Sequence, residues 1–185
     1  METLEAIHTR QSIAQVKPDP VPRELIEKLL SAAVQAPNHY KVRPWRFAVM
    51  TGAAREKLGE AMAHSTKAAR PDATVDELQK VRGKPLRAPV VIAVAVDKPG
   101  VTRAKEIENI CATAAAVQNM LLAAQALGLA AMWRTGPSAT DPAIKQFFGW
   151  EPDQHLIGFI YIGYPQGELT PPTRPSFEDR VIWMD

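Results

Sequence analysis

The sequence NICATAAAVQNMLLAAQALG, residues 109–128, decides the fold of this chain. Alanine, leucine and methionine favour an α-helix, and Gly128 is a typical residue just beyond a helix end. The residues that interrupt its apolar surface are Asn109, Gln118, Asn119 and Gln125. A helix that is apolar nearly all round is buried on most faces, in a large core or a subunit interface. The polar interruptions, the many alanines and the lack of flanking aromatic residues argue against a membrane span.

The segment after this helix predicts a short buried strand, Leu129 to Arg134, that ends in the turn Thr135-Gly136-Pro137. Such a strand delivers Trp133, Arg134 and Thr135 to its carboxyl end, which is where α/β sheets place ligands. The alternative is that Trp133 belongs to the core and that Arg134 forms a surface salt bridge. The residues alone leave both interpretations open.

Local patterns predict the remaining elements. We expect helices over 3–9 (with Thr3 as N-cap), from Pro22 to 34, over 53–65, from the Thr74/Glu77 capping box to Gly83, and over 142–148 after Thr140-Asp141. Strands are expected over 45–50, 89–97 and 156–163, and the second of these reads as buried on both faces. We expect residues 66–86 to be exposed and mobile.

Length and composition indicate one domain, residues 1–185, with enough apolar residues for a sizeable core. The net charge of +2 is spread along the chain without a basic block, which argues against nucleic acid as a partner. The single cysteine, Cys111, fits a reducing compartment and reads as a buried apolar filler. Because no signal core or spanning segment is present, we expect a cytoplasmic protein without a membrane partner.

The sequence offers no metal site and no nucleophile of a familiar kind. The four histidines lie far apart, there is no cysteine pair and no nucleophile elbow. Neither a G-x-G-x-x-G nor a Walker A loop is present, so side chains must hold any nucleotide cofactor. Arg10, Gln11 and Ser12 are candidates, since a guanidinium binds phosphate bidentately and a hydroxyl adds a donor. The alternative for Arg10 is ordinary compensation of a helix dipole.

The chain ends in a proline-rich arm, residues 165–185. Its last apolar triplet, Val181-Ile182-Trp183, has little local core to join. We therefore predict that the arm reaches a partner subunit and docks there as an edge strand or clamp. The alternative is disorder.

Four motifs together resemble the nitroreductase family of FMN-dependent oxidoreductases, in particular its small single-domain bacterial branch. In chain order they are Arg10-Gln11-Ser12; Ala36-Pro37-Asn38-His39 with Pro44-Trp45-Arg46-Phe47; the alanine-rich helix leading into Trp133-Arg134-Thr135-Gly136; and Gly158-Phe159-Ile160-Tyr161-Ile162-Gly163-Tyr164-Pro165. The resemblance covers most of the chain. It implies an α+β fold with a mixed central sheet flanked by helices, and an obligate homodimer with two FMN molecules at its interface.

The resemblance also implies roles for single residues. The set implied to bind FMN is Arg10, Gln11, Ser12, Gln35, His39, Trp133, Arg134, Thr135 and Arg174. Of these, Arg10 to Ser12 would hold the ribityl phosphate and nearby polar atoms, Arg174 would be a second phosphate ligand, and Gln35 and His39 would come from the neighbouring subunit. The stretch 123–128 corresponds to one assigned to the nicotinamide nucleotide. Two departures from the family pattern are Gln11 in place of a second arginine and Arg43 in place of a glutamine.

The activity implied is hydride transfer from NAD(P)H to FMN and then to an electron-poor acceptor, a nitroaromatic compound or a quinone. If NAD(P)H and then the acceptor occupy the same cleft in turn, ping-pong kinetics is expected. No side chain need act as a nucleophile. Donors near the pyrimidine edge, Arg134 or a backbone N–H near Gly136, would stabilise the reduced flavin. Two alternatives stay open: a flavin-consuming or dehalogenating relative, and a flavin-binding carrier dimer without turnover.

Overall fold

The computed structural model describes residues 1–98, 100, 103–170 and 172–184. Its helices are α1 (Thr3–Thr9), α2 (Arg23–Ala33), α3 (Ala53–Ala69), α4 (Val75–Arg82), α5 (Glu106–Ala126), α6 (Pro137–Thr140) and α7 (Pro142–Phe147). Its strands are β1 (Trp45–Met50), β2 (Val90–Val96), β3 (Ala130–Arg134) and β4 (His155–Gly163). Short 3₁₀ turns occupy His39–Lys41, Lys84–Arg87 and Glu178–Arg180.

The four strands form one sheet in the order β1-β2-β4-β3. All three neighbouring pairs are antiparallel. The α+β class is therefore confirmed, whereas the parallel pairing that a mixed sheet requires does not occur within the described part of the chain. Every residue of β2 is buried, as its unbroken apolar run predicted.

Helices cover both faces of the sheet, and the alternation of side chains along β2 assigns residues to each face. Val90, Ile92 and Val94 pack with α2 and α5 in one apolar core. Val91 and Ala93 pack with α3, α4 and α7 in the other. Because successive side chains of a strand point to opposite faces, a single run of small and branched residues serves both cores.

The long helix α5 is confirmed, but one of its faces is uncovered in the single chain. Met120 and Val117 are fully buried against the sheet. Ile107 is 59% exposed, and Cys111, one turn further along, is also exposed. The prediction that Cys111 is buried is therefore wrong for the isolated chain, because the apolar surface continues onto a side of α5 that this chain does not cover.

Three local predictions need correction. The N-cap of α1 is Glu2 and not Thr3, because the Glu2 N–H donates to the Glu5 carboxylate (3.3 Å) in a capping box. The segment 66–86 is largely helical, and Val81 within it is buried against α3. Its strong Thr74/Glu77 capping box was predicted correctly. The additional short helix α6 follows β3 and was not predicted.

Candidate functional site

The residues after α1 lie along the free edge of β3. The Ile13 N–H donates to the carbonyl oxygen of Ala131 (3.2 Å). Further on, an isolated bridge joins Val16 to Pro165 just beyond β4. These two contacts place Arg10, Gln11 and Ser12 beside β3, whose last residues are Trp133 and Arg134.

The beginning of the C-terminal arm crosses over the same place. Gln11 Nε2 donates to the carbonyl oxygen of Thr170 (2.9 Å), and Arg174 Nη2 donates to the carbonyl oxygen of Arg10 (2.9 Å). The structure thus brings Arg10 and Gln11 together with Arg174, which lies more than 160 residues further along the sequence. Ser12 follows directly and is exposed.

Arg10 and Arg174 form a pair of cations without a carboxylate partner among the described residues. Partial burial lowers the pKa of Arg10, and the charge of Arg174 lowers it further. Among the described residues, no carboxylate forms an ion pair with either guanidinium. Two guanidinium groups repel each other unless an anion lies between them, and phosphate is the anion whose geometry they match best. This donor set fits the phosphate of FMN.

Trp133 is held across β4 by an irregularity in that strand. The pairing of β2 with β4 shifts between Val94 and Ala95, which leaves Ile157 as an extra residue. The Trp133 indole N–H donates to the Ile157 carbonyl oxygen (3.0 Å). Gly158 has a φ of +144°, and a Cβ there would collide with the indole ring. The ring therefore needs both the bulge and the glycine beneath it. It also packs against the core with α2 and α5, so the core interpretation of Trp133 holds in part.

Arg134 points to the other face of the sheet. Its guanidinium lies 5.3 Å from the centre of the Tyr161 ring, a cation–π contact. Its Nε is buried and finds no hydrogen-bond partner among the described residues. The surface salt bridge that was the alternative interpretation of Arg134 is therefore not formed within the described chain. Thr135, at the end of the strand, is exposed. A ligand that contacts Trp133, Arg134 and Thr135 together must lie at this strand end.

The loop that carries His39 lies at a different end of α5. His39 Nδ1 is 2.9 Å from Glu108 Oε2, in the first turn of the helix. Hydrogen bonds from His39 and then from the Lys105 N–H lower the pKa of Glu108. Gln35 is exposed at the end of α2 and donates to the Ser31 carbonyl oxygen (3.4 Å).

The length of α5 separates these residues from Arg10. Gln125, in the last turn of the helix, donates to the hydroxyl of Thr9 (3.2 Å), the neighbour of Arg10. Glu108 and Gln125 are 17 residues apart, which corresponds to about 25 Å at ~1.5 Å per residue. A flavin bound beside Arg10 therefore cannot contact His39 of the same chain.

A group of basic residues on the far side of the sheet was not predicted from the sequence. Lys84 and Arg87, the first and last residues of a 3₁₀ turn, line a cavity of 350 Å³ together with Arg134 and Tyr161. Burial raises the pKa of Tyr161, although the charges of Arg134 and Arg87 act in the opposite direction. The only signal in the sequence was their basic character, and the packing of the turn onto the sheet cannot be read from that.

Comparison with known proteins identifies the family. The profile of the nitroreductase family matches residues 7–164. The chain belongs to the nitroreductase family. A curated relative of this family, "Putative NAD(P)H nitroreductase YdjA" of Escherichia coli, is 30% identical over 90% of this chain and 90% of its own.

Solved nitroreductase structures share the fold. The nitroreductase-like family protein from Bacillus cereus has a TM-score of 0.82 and 26% identity, and covers 100% of this chain and 96% of its own. The structure of a "putative nitroreductase in complex with FMN" from Desulfovibrio desulfuricans has a TM-score of 0.76 and 27% identity over 100% and 98% of the two chains. In the described residues, no group of three or more potential metal ligands is found. No helix there has the length and apolarity needed to cross a bilayer.

Proposed function

We propose that this member of the nitroreductase family is a cytoplasmic, homodimeric FMN-dependent oxidoreductase, with NAD(P)H as its reductant. Its acceptor is an electron-poor small molecule, a nitroaromatic compound or a quinone. The observation that carries the proposal is the cation pair Arg10/Arg174 in the segments beside β3, which has no carboxylate partner in the described chain. The FMN complex of the Desulfovibrio desulfuricans relative supports the same cofactor.

The proposed cofactor contacts come from residues around β3 and from the turn that follows this strand. Arg10, Gln11, Ser12 and Arg174 hold the phosphate and the polar atoms next to it. Trp133 and Thr135 flank the ring system, and the N–H groups of the turn after the strand face its pyrimidine edge together with Arg134. The chemistry supplied by bound FMN is hydride transfer from NAD(P)H to the acceptor in a ping-pong cycle. The protein positions the reactants and supplies positive charge, without a nucleophilic side chain.

The site is complete only in a dimer. His39 and the Arg10 group lie about 25 Å apart along α5, by its rise of ~1.5 Å per residue, so Gln35 and His39 act on the partner's flavin. The uncovered side of α5, which includes Ile107 and Cys111, is the surface that this pairing would bury. A two-fold axis near the middle of α5 brings the first turns of one helix to the last turns of the other.

The apolar end of the arm supports the same assembly. Ile182 and Trp183 are 88% and 82% exposed in the single chain. Side chains of this size are rarely left in water together, so we propose that they clamp the partner. An added strand from the partner would also supply the parallel pairing that the sheet of one chain lacks.

Three measurements on the purified protein test the proposal. A yellow protein with an FMN spectrum and a dimeric mass is expected, together with bleaching of the flavin by NADPH in stopped flow and reoxidation by a quinone. A colourless monomer that takes up no added FMN contradicts the proposal. A flavin that neither NADPH nor NADH bleaches indicates the carrier without turnover. Loss of halide from a halogenated substrate, found by product analysis, indicates the dehalogenating alternative.

A further inference from the structure

The cavity on the sheet face opposite α5 is strongly basic. Lys84, Arg87 and Arg134 line it, and no aspartate or glutamate does. In the part of the chain that the structure describes, none of these three side chains takes part in an ion pair. Three like charges around a volume of 350 Å³ create a positive potential that attracts anions.

One of these cations is incompletely hydrogen-bonded. The Nε of Arg134 is buried and has no partner within the described residues. A buried donor without an acceptor is costly, and more so when the group is charged. Tyr161, whose ring lies under the guanidinium, adds a hydroxyl to the same wall of the cavity. An oxyanion bound here would supply the negative charge that these cations lack within the described residues.

The rest of the lining is mostly apolar, with Thr135 and Ser138 as its uncharged polar residues. Met62, Met132 and Phe159 face the same space, beside Pro137. Methionine side chains adapt to flat and irregular ligands and pack well against aromatic rings. The cavity therefore combines an anion-binding wall with an apolar wall. An inorganic anion would contact only the anion-binding wall.

We propose that this cavity binds an aromatic carboxylate, with the carboxylate against Lys84 and Arg87 and the ring against Met62, Met132 and Phe159. Thr135 and Gly136, in the turn that the proposed function places next to the flavin, also line the cavity. An aromatic acid whose ring carries a nitro group is then positioned as the electron acceptor: the nitro group takes up the electrons, and the carboxylate stays bound and unchanged. Its role as an acceptor rests on the proposed function, but its binding does not.

Calorimetry with a pair of matched ligands tests the binding. The probes are 4-nitrobenzoate and its neutral analogue 4-nitrobenzamide, titrated into the dimer as purified. The wild-type protein should bind the acid at least tenfold more tightly than the amide. The double variant Lys84→Met/Arg87→Gln should lose at least tenfold in affinity for the acid and keep its affinity for the amide. Equal binding of both ligands by the wild-type protein overturns the proposal.

A control variant removes the same two charges elsewhere. Lys80→Met/Arg23→Gln changes two exposed residues outside the cavity lining, so it should leave the preference for the acid intact. An equal loss in this control means that net charge alone attracts the ligand, which overturns the proposal. Binding of the acid only after the flavin is stripped also overturns it, because FMN itself would then occupy the cavity.

Steady-state kinetics separates this proposal from the proposed function. With NADPH as reductant, Lys84→Met/Arg87→Gln should raise KM for 4-nitrobenzoate at least tenfold, with kcat and the kinetics of 4-nitrobenzamide unchanged. An unchanged KM for the acid contradicts its placement as an acceptor. If the wild-type protein lacks turnover but still prefers the acid in calorimetry, the proposed function fails and the binding site stands.

Discussion

Arg174 donates a hydrogen bond to the carbonyl oxygen of Arg10 (2.9 Å), and this contact joins the C-terminal arm to the end of the first helix. It also brings two guanidinium groups together, at a cost that a bound anion would remove. In physical terms the site is assembled from both ends of the chain. An anionic cofactor that bridges them should therefore order the arm as well as bind.

Arg10→Ala should weaken FMN binding and leave the fold intact. Hydrogen bonds to charged groups contribute about 1.5–3 kcal/mol each, which corresponds to a 10- to 100-fold rise in Kd. Flavin fluorescence on dilution measures the release. Arg23→Ala removes an exposed arginine whose one ion pair among the described residues is with Glu27, and it serves as the control. If Arg10→Ala retains flavin as tightly as this control, the phosphate lies elsewhere.

Removal of Val181–Asp185 should dissociate the dimer. Burying a side chain the size of Ile182 or Trp183 contributes about 1.5–3 kcal/mol, so losing both from each chain raises the dimer dissociation constant more than 100-fold. Sedimentation velocity over a dilution series measures the constant. A chain that ends at Trp183, lacking only the last two residues, should behave as the full-length protein. A monomer–dimer equilibrium unaffected by the longer truncation rules out the clamp.

Gly158→Ala should destabilise the protein more than Gly167→Ala. Both glycines have positive φ values, +144° and +87°, so both variants carry backbone strain of about 1–3 kcal/mol. Only at position 158 would the new Cβ also meet the Trp133 indole and displace its hydrogen bond to Ile157. Urea unfolding followed by circular dichroism gives the free energies of unfolding. Equal losses of unfolding free energy in the two variants would mean that the Trp133 indole moves aside without an energetic cost.

His39→Ala should raise the pKa of Glu108. The hydrogen bond from His39 is the largest cause of its lowered pKa, and the Lys105 N–H would remain to hold it partly down. A carboxylate whose pKa is lower in the folded than in the unfolded chain adds stability above its unfolded pKa of about 4.3. That stability is lost as the pH falls through the folded-state pKa, and His39→Ala should reduce the acid-dependent loss.

Carboxyl ¹³C NMR titration reports the Glu108 pKa directly. His155→Ala removes the other histidine–glutamate pair of this helix, His155 with Glu106 (2.5 Å), and should leave Glu108 unchanged. An unaltered Glu108 titration in His39→Ala would show that the two side chains do not interact in solution.

Local chemistry explains which parts of the fold could be predicted from the sequence. The strand Trp45–Met50 and the Thr74/Glu77 capping box were predicted at their observed positions, because alternation and capping depend on neighbours within four residues. Cys111 was predicted to be buried but is exposed in the single chain. An apolar sequence predicts that a surface is covered, but not whether the same chain or a partner covers it. The Glu2 N-cap was missed because threonine is a preferred N-cap residue and glutamate is not.

The candidate site was predictable only in part, because many of its contacts join residues that are far apart in the sequence. Arg10 and Gln11 were singled out from their own motif, but their contacts with the arm join residues far apart in the sequence. Trp133 and Arg134 were grouped as neighbours, yet they occupy opposite faces of the sheet. Lys84 and Arg87 were overlooked because their segment carries many charges, and only tertiary packing places these two beside Arg134 in the lining of one cavity.

The separation along α5 has a genetic consequence. In the proposed dimer each flavin takes Arg10 from one chain and His39 from the other. A chain with Arg10→Ala and a chain with His39→Ala would each be defective alone at both sites. Co-expressed, they would form mixed dimers in which one site carries both substitutions and the other carries neither. Two inactive alleles would then complement each other, with at most half of the sites of each mixed dimer restored.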